Sequence, residues 1–177
     1  MIAKIKEWFF YRDFTVKDNM PESIRANINK EQNICILYDG TNETDRKSLH
    51  RFKKLLNGNG TGNRNIKSLA FIDNALPLDN VDYAAYNHKN IKWHGVPFGE
   101  KVEEFINLPS DILIVLCKNM LPHFEYIVAH SSTDFIVGPF LKKSEKYFNL
   151  IVETENMDSL EKLSQSIIKG IDKIAVK

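Results

Sequence analysis

Short apolar runs alternate along this chain with longer segments whose apolar residues recur every three or four positions. The first run, Ile34-Cys35-Ile36-Leu37-Tyr38, has no polar alternation. That pattern predicts a strand covered on both faces in a parallel sheet. A polar turn follows, Asp39-Gly40-Thr41-Asn42, and then a helix whose buried stripe is Leu49, Phe52, Leu55 and Leu56. Asn42 suits the N-cap, with Asp45 three residues on and negative charge in the first turn. Asn57-Gly58-Asn59-Gly60-Thr61-Gly62-Asn63 ends the helix as a flexible loop.

The alternation continues. A second strand is expected over Ile66–Ile72, stopping at Asp73-Asn74. Residues 75–90 read as irregular, and Ile91-Lys92-Trp93 as a short third strand ending at His94-Gly95. Val102, Phe105 and Ile106 mark a brief helix after Gly99, broken at Pro109-Ser110. Asp111–Leu116 is the clearest strand of the second half. Leu121-Pro122 opens a helix with Phe124, Ile127 and Val128 facing in. Phe135–Gly138 is a strand cut off by Pro139, and Phe148–Val152 is the last strand. The final helix starts at Asp158, with Glu161 completing a capping-box-like pair and a stripe of Leu160, Leu163, Ile167, Ile171 and Ile174.

Strands separated by helices require crossovers and a mainly parallel sheet. The fold class is therefore α/β: a three-layer Rossmann-like or flavodoxin-like domain, with five to six strands and helices on both faces. One such domain is expected over residues 32–177, preceded by a helical arm and connector over 1–31. In the arm, Ile2, Ile5, Trp8 and Phe9 share one side of a helix. That side suits docking on the domain or on a second copy, giving a homodimer or a partner complex. The arm's basic and aromatic character also fits a membrane surface.

Composition narrows the class. The chain has 177 residues, 43% hydrophobic and 27% charged, with a formal net charge of +1. One core of ordinary size fits that length, and no global field recruits nucleic acid or membrane. Cys35 and Cys117 both lie in apolar strands, which implies no disulfide framework and a reducing compartment. No apolar run reaches the roughly 20 residues of a membrane span, and the N-terminus lacks a signal-peptide pattern. A cytoplasmic protein is the expectation.

Ligands of open parallel sheets bind beyond the carboxyl ends of the strands. The residues there are Asp39, Gly40, Thr41 and Asn42; Asp73 and Asn74; His94 and Gly95; Cys117, Lys118 and Asn119; Gly138; and Glu153. The candidate ligand-binding set is Asp39, Gly40, Thr41, Asn42, Asp73, Lys118 and Asn119. The first strand usually lies centrally, so its turn leads. Free N–H groups at the helix start favour an anion, although capping alone explains Thr41 and Asn42, and Asp39 opposes a phosphate. Asp39, Asp73 and Glu153 could converge on a hard cation. Lys118 or His94 could move a proton. Cys117 reads as a buried small hydrophobe more readily than as a nucleophile served by His94.

The glycines after the first helix fail as a dinucleotide fingerprint, because they follow a helix and precede a strand. The five histidines show no metal-ligand spacing. No reaction or cofactor follows from these residues. Residues 41–70 carry Arg46, Lys47, Arg51, Lys53, Lys54, Arg64 and Lys67 against Glu43 and Asp45. A solvated helix face explains this, and the lack of interleaved aromatic residues argues against nucleic acid.

Leu37–Asn42, Phe71-Ile72-Asp73, Asn90–Gly95, Ser110–Leu116 and Phe135–Gly138 together resemble an uncharacterised family of small bacterial proteins, a domain of unknown function. The resemblance spans most of residues 33–155 and implies a fold without an activity. Residues 111–138 are also similar to the closing part of the N-terminal Rossmann-like domain of lipopolysaccharide heptosyltransferases. Such a transferase needs a second, nucleotide-sugar-binding domain that this chain is too short to hold.

The sequence thus suggests a non-catalytic module binding a partner or a small anionic ligand at the strand ends. Its alternatives are a small enzyme acting on a phosphorylated or sugar-like substrate, and membrane or nucleic-acid association through the basic helix.

Overall fold

A computed structural model describes residues 33–57, 64–78, 81–142, 144–154 and 159–175. The arm expected over 1–31, the glycines of 58–62 and Asp158 lie outside the described residues. The elements in order are β1 (Asn33–Asp39), α1 (Glu43–Leu56), β2 (Asn65–Ile72), β3 (Ala85–Asn87), α2 (Glu100–Asn107), β4 (Ser110–Leu116), α3 (Pro122–His130), β5 (Thr133–Pro139), β6 (Leu150–Val152) and α4 (Leu160–Ala175).

All six strands are parallel, in the order β3-β2-β1-β4-β5-β6. This is the Rossmann-like order, whose direction reverses between β1 and β4. β1 pairs with β2 from Asn33↔Asn65 to Asp39↔Phe71, and with β4 from Ile34↔Ile112 to Tyr38↔Leu116. Its central place follows from its sequence. Only a strand flanked by two others and roofed on both faces buries Ile34 through Tyr38 without a polar gap.

The pleat divides those residues between two cores. Ile34, Ile36 and Tyr38 meet Leu49, Phe52 and Leu56 of α1 and Leu160, Leu163, Ile167 and Ile171 of α4. Cys35 and Leu37 face Val102 and Phe105 of α2 and Phe124, Ile127 and Val128 of α3. Burying each aliphatic side chain of this kind contributes roughly 1.5–3 kcal/mol.

Several boundaries differ from the sequence expectation. The third strand is Ala85–Asn87, within the stretch read as irregular, and Ile91-Lys92-Trp93 is not a strand. Ile91 makes only an isolated antiparallel bridge to Pro97, around a turn with Gly95 at φ 98°. Three residues with one large apolar side chain carry no readable period, whereas Asn87 is fixed by its bonds. Its amide donates to Asn74 Oδ1 and the Leu76 carbonyl, and its Oδ1 accepts from the Lys89 N–H. Pro139 does not cut β5 short; it is the strand's last residue, paired with Val152. Leu55 lies 58% exposed rather than in the buried stripe. Ser159 caps α4 through its Oγ, which accepts from the Lys162 N–H, and Glu161 approaches Arg51; the expected Asp158–Glu161 pairing lies outside the described residues.

The described part of the β2–β3 crossover, residues 73–78 and 81–84, forms no helix. It rests Leu78 and Tyr83 on the α1 side of the core. A loop covers less of a sheet face than a helix, so β2 stays partly open beside α1. Among the described residues no helix is long and apolar enough to cross a membrane.

Candidate functional site

The β1–α1 turn sits where the strand order reverses, and its backbone is tied by hydrogen bonds. Gly40 donates its N–H to the Phe71 carbonyl at 2.8 Å, extending the β1–β2 ladder by one rung. A Cβ on Gly40 would come within 3.0–3.3 Å of Tyr38, Ala70 and Ile72, so the close approach favours glycine. Asp39 Oδ1 accepts from the Thr41 N–H at 3.0 Å, a local turn bond. Thr41 Oγ1 accepts from the Asp73 N–H at 2.9 Å, and Asp73 Oδ1 lies 2.5 Å from His88 Nε2.

Thr41 therefore does not cap α1; it links two strand ends. Asn42 occupies the N-cap position without capping through its side chain, whose amide donates to Asp45 Oδ2 at 3.4 Å. The capping explanation of both residue types is corrected on this point.

Asp39, Gly40, Thr41, Asn42 and Asp73 are thus gathered at the ends of β1 and β2. Lys118 lies across the reversal, where Asp39, Asp45, Leu116, Cys117, Leu160 and Leu163 join it around a cleft of about 10 Å³. That volume holds about one water molecule. Asn119 follows on the exposed loop after β4, and its carbonyl accepts from the Leu121 N–H. Leu160 and Leu163, in the first turns of α4, line one side of this cleft. Among the described residues no three His, Cys, Asp or Glu side chains form a metal-holding group, so Asp39, Asp73 and Glu153 do not make a cation site.

On the opposite face, sequence reasoning passed over a buried polar pair. Tyr86 Oη and His123 Nδ1 are 2.8 Å apart, with His123 only 6% exposed. Phe71 packs against both rings and against His88. Burial pulls the His123 imidazole down to about 4; His88 adds to the shift, and Asp39 and Asp73 oppose it. Burial pushes the Tyr86 phenol well above its ordinary range. The Cys117 thiol is pushed up to about 12, first by burial and then by Asp39. A thiol so held is no nucleophile at neutral pH. His94 lies in the turn after β3 rather than at a strand end, which removes the basis for pairing it with Cys117.

A wider opening than the strand-end cleft lies elsewhere. A groove of about 660 Å³ runs between α1 and the outer part of β2. Arg46, Lys47, His50, Arg51, Lys53 and Lys54 form its α1 wall with Glu43. Tyr38, Leu49, Ser68 and Tyr83 supply the floor and the far wall. Lys47 is occupied by Glu43 at 2.7 Å, and Arg51 by Glu161 at 3.7 Å. Among the described residues, Lys53 and Lys54 have no carboxylate partner, whereas Arg46 acts electrostatically on Glu43. Lys53 Nζ donates to Ser68 Oγ at 2.7 Å, and burial lowers its pKa, with Lys67 adding to the shift. Arg46 Nη1 donates to the carbonyls of Gly40 at 2.5 Å and Thr41 at 3.0 Å. One guanidinium thus joins the groove to the strand-end turn.

The charge excess of residues 41–70 was legible in the sequence. The opposing wall was not, because Ser68 of β2 and Tyr83 of the crossover loop come from segments distant in sequence.

A family model described as a family of unknown function (DUF6913) matches residues 8–174. No curated protein and no solved structure gives a significant match.

Proposed function

We propose that this chain, which belongs to that family of unknown function, is a non-catalytic binding module for a small anionic ligand, and that the ligand sits in the α1–β2 groove. The observation that carries the reading is the groove itself: about 660 Å³, walled by cationic side chains of which Lys53 and Lys54 lack carboxylate partners among the described residues. Pockets of that size commonly take a compact ligand. An anion beside Lys53 would also offset the burial and the Lys67 repulsion that now disfavour its charge.

The strand-end residues keep a part in this reading. Arg46 holds the Gly40 and Thr41 carbonyls and faces the groove, so the turn forms the groove's floor support. The cleft beyond the strands is less suited to an anion, being narrow and bordered by Asp39 and Asp45. A cytoplasmic setting fits two free, buried cysteines.

Isothermal titration with inorganic tripolyphosphate at low salt tests the reading. Binding is expected, with Lys53→Met weakening it about tenfold, since a hydrogen bond to a charged group contributes roughly 1.5–3 kcal/mol. Lys101→Met, on α2, serves as the control and should change nothing. Absence of binding to the unaltered protein, or equal affinity in Lys53→Met, would remove the groove as the site.

A further inference from the structure

The two walls of the groove differ in chemistry. The α1 wall is cationic over two helical turns: Arg46 and Lys53 are seven residues apart, or about 10 Å along the axis. The opposite side supplies hydroxyl groups and an aromatic ring from Ser68 and Tyr83. Tyr38 lies beneath, only 3% exposed, while Tyr83 is half-buried. Tyr83 and Arg46 both act electrostatically on the Tyr38 phenol, one raising and the other lowering its pKa. Tyr38 pairs with Ala70, whose N–H donates to the Ala84 carbonyl, and Arg46 is bonded to the turn just after Tyr38, so the Tyr83 ring and the Arg46 guanidinium share one end of the groove. Lys53 and Ser68 mark the other.

This combination arises from topology. Tyr83 belongs to the crossover loop that stands where a helix would otherwise roof β2, and Arg46 belongs to the helix beside it. A purely inorganic anion needs only the α1 wall. An aromatic face at one end, with cations leading away from it, matches a ligand with a flat ring and a phosphate tail.

Resting on the anion-binding reading, we infer that the groove takes a free nucleoside polyphosphate. Its base lies on Tyr83, and its phosphates run along α1 past His50 toward Lys53 and Lys54. Base–aromatic stacking needs no base-specific hydrogen bond, so the class is named and not the base. The volume of about 660 Å³ suits one nucleotide rather than a polymer.

The experiment compares adenosine triphosphate with tripolyphosphate by titration calorimetry on the full chain, without divalent metal, so that both ligands carry similar charge. A single-stranded 12-mer oligonucleotide forms a third arm. The nucleotide is expected to bind about tenfold more tightly than tripolyphosphate. Tyr83→Leu keeps an apolar side chain against the core and removes the ring; it should abolish that tenfold difference and leave tripolyphosphate affinity unchanged. Tyr83→Phe should preserve the difference, and thermal melts without ligand establish that both variants fold. Lys53→Met should weaken both small ligands.

Equal affinity for nucleotide and tripolyphosphate would overturn this inference and leave the anion site standing. So would a nucleotide preference that survives Tyr83→Leu, or per-molecule affinity for the 12-mer well above that for the mononucleotide. Failure of both small ligands to bind would overturn the anion site as well.

Discussion

At the scale of single residues, His123 shows how burial decides chemistry. Its imidazole is 6% exposed and hydrogen-bonded to Tyr86 at 2.8 Å. Charging it inside this apolar shell is costly, so its pKa in the folded protein falls to about 4, mainly through burial. In the unfolded chain it returns to about 6.5. Above pH 6.5 neither state binds the proton and the residue adds no pH dependence. Between pH 6.5 and 4 the unfolded chain takes up a proton that the folded one refuses, so stability falls as pH drops. The full shift corresponds to about 3 kcal/mol. Urea denaturation at pH 7 and at pH 4.5 should show most of that loss. His123→Leu should remove the His123 part of the slope, while costing about 1–3 kcal/mol at pH 7 because Tyr86 loses its buried partner. An unchanged slope in His123→Leu would place the acid sensitivity elsewhere.

At the scale of elements, the legible features were those with enough residues to show a period. β1, β4, α1 and α3 were readable because burial on one or both faces imposes a long apolar pattern. β3 was not, because three residues show no period, and Asn87 fixes the chain there through side-chain hydrogen bonds. The competing segment Ile91–Trp93 had strand-forming residues but closes a turn at Gly95 instead. Gly138 shows a different limit. In sequence it looked like a strand terminus, yet β5 continues to Pro139, and the reason for glycine is the ring of Phe148. A Cβ at 138 would overlap that ring, which is itself buried in the α2–α3 core. Gly138→Ala should therefore destabilise by roughly 1–3 kcal/mol, as overpacking does. Combining it with Phe148→Leu should recover part of the loss relative to the sum of the single changes, a coupling that a double-mutant cycle measures. Strict additivity would mean that the two residues do not clash.

At the scale of the whole molecule, the strand order puts the β1–α1 turn at the reversal point, and Arg46 connects that turn to the groove. The turn residues Asp39, Gly40, Thr41 and Asn42 were readable as strand-end residues. Their link to a groove on the α1 face was not, because it depends on one side chain and on a crossover whose described residues form no helix. This link has a consequence for dynamics. Arg46 Nη1 is engaged by the Gly40 and Thr41 carbonyls, which leaves Nη2 and Nε to meet an anion. A phosphate held by those groups would fix the guanidinium and, through it, the turn. The turn is bonded in series: Gly40 N–H to Phe71, Thr41 N–H to Asp39, and Asp73 N–H to Thr41 Oγ1. Ordering one end of such a chain should lower local opening throughout it. Amide hydrogen exchange at Gly40, Thr41 and Asp73 should slow several-fold when tripolyphosphate saturates the groove, while the amides of β6 remain unchanged. In Arg46→Lys the planar fork is lost, because an ammonium cannot hold two carbonyls and a phosphate in one rigid geometry. Saturating that variant should leave exchange at the three amides at its unliganded rate. Equal slowing in both proteins would show that the groove and the strand ends are coupled by some other route than Arg46.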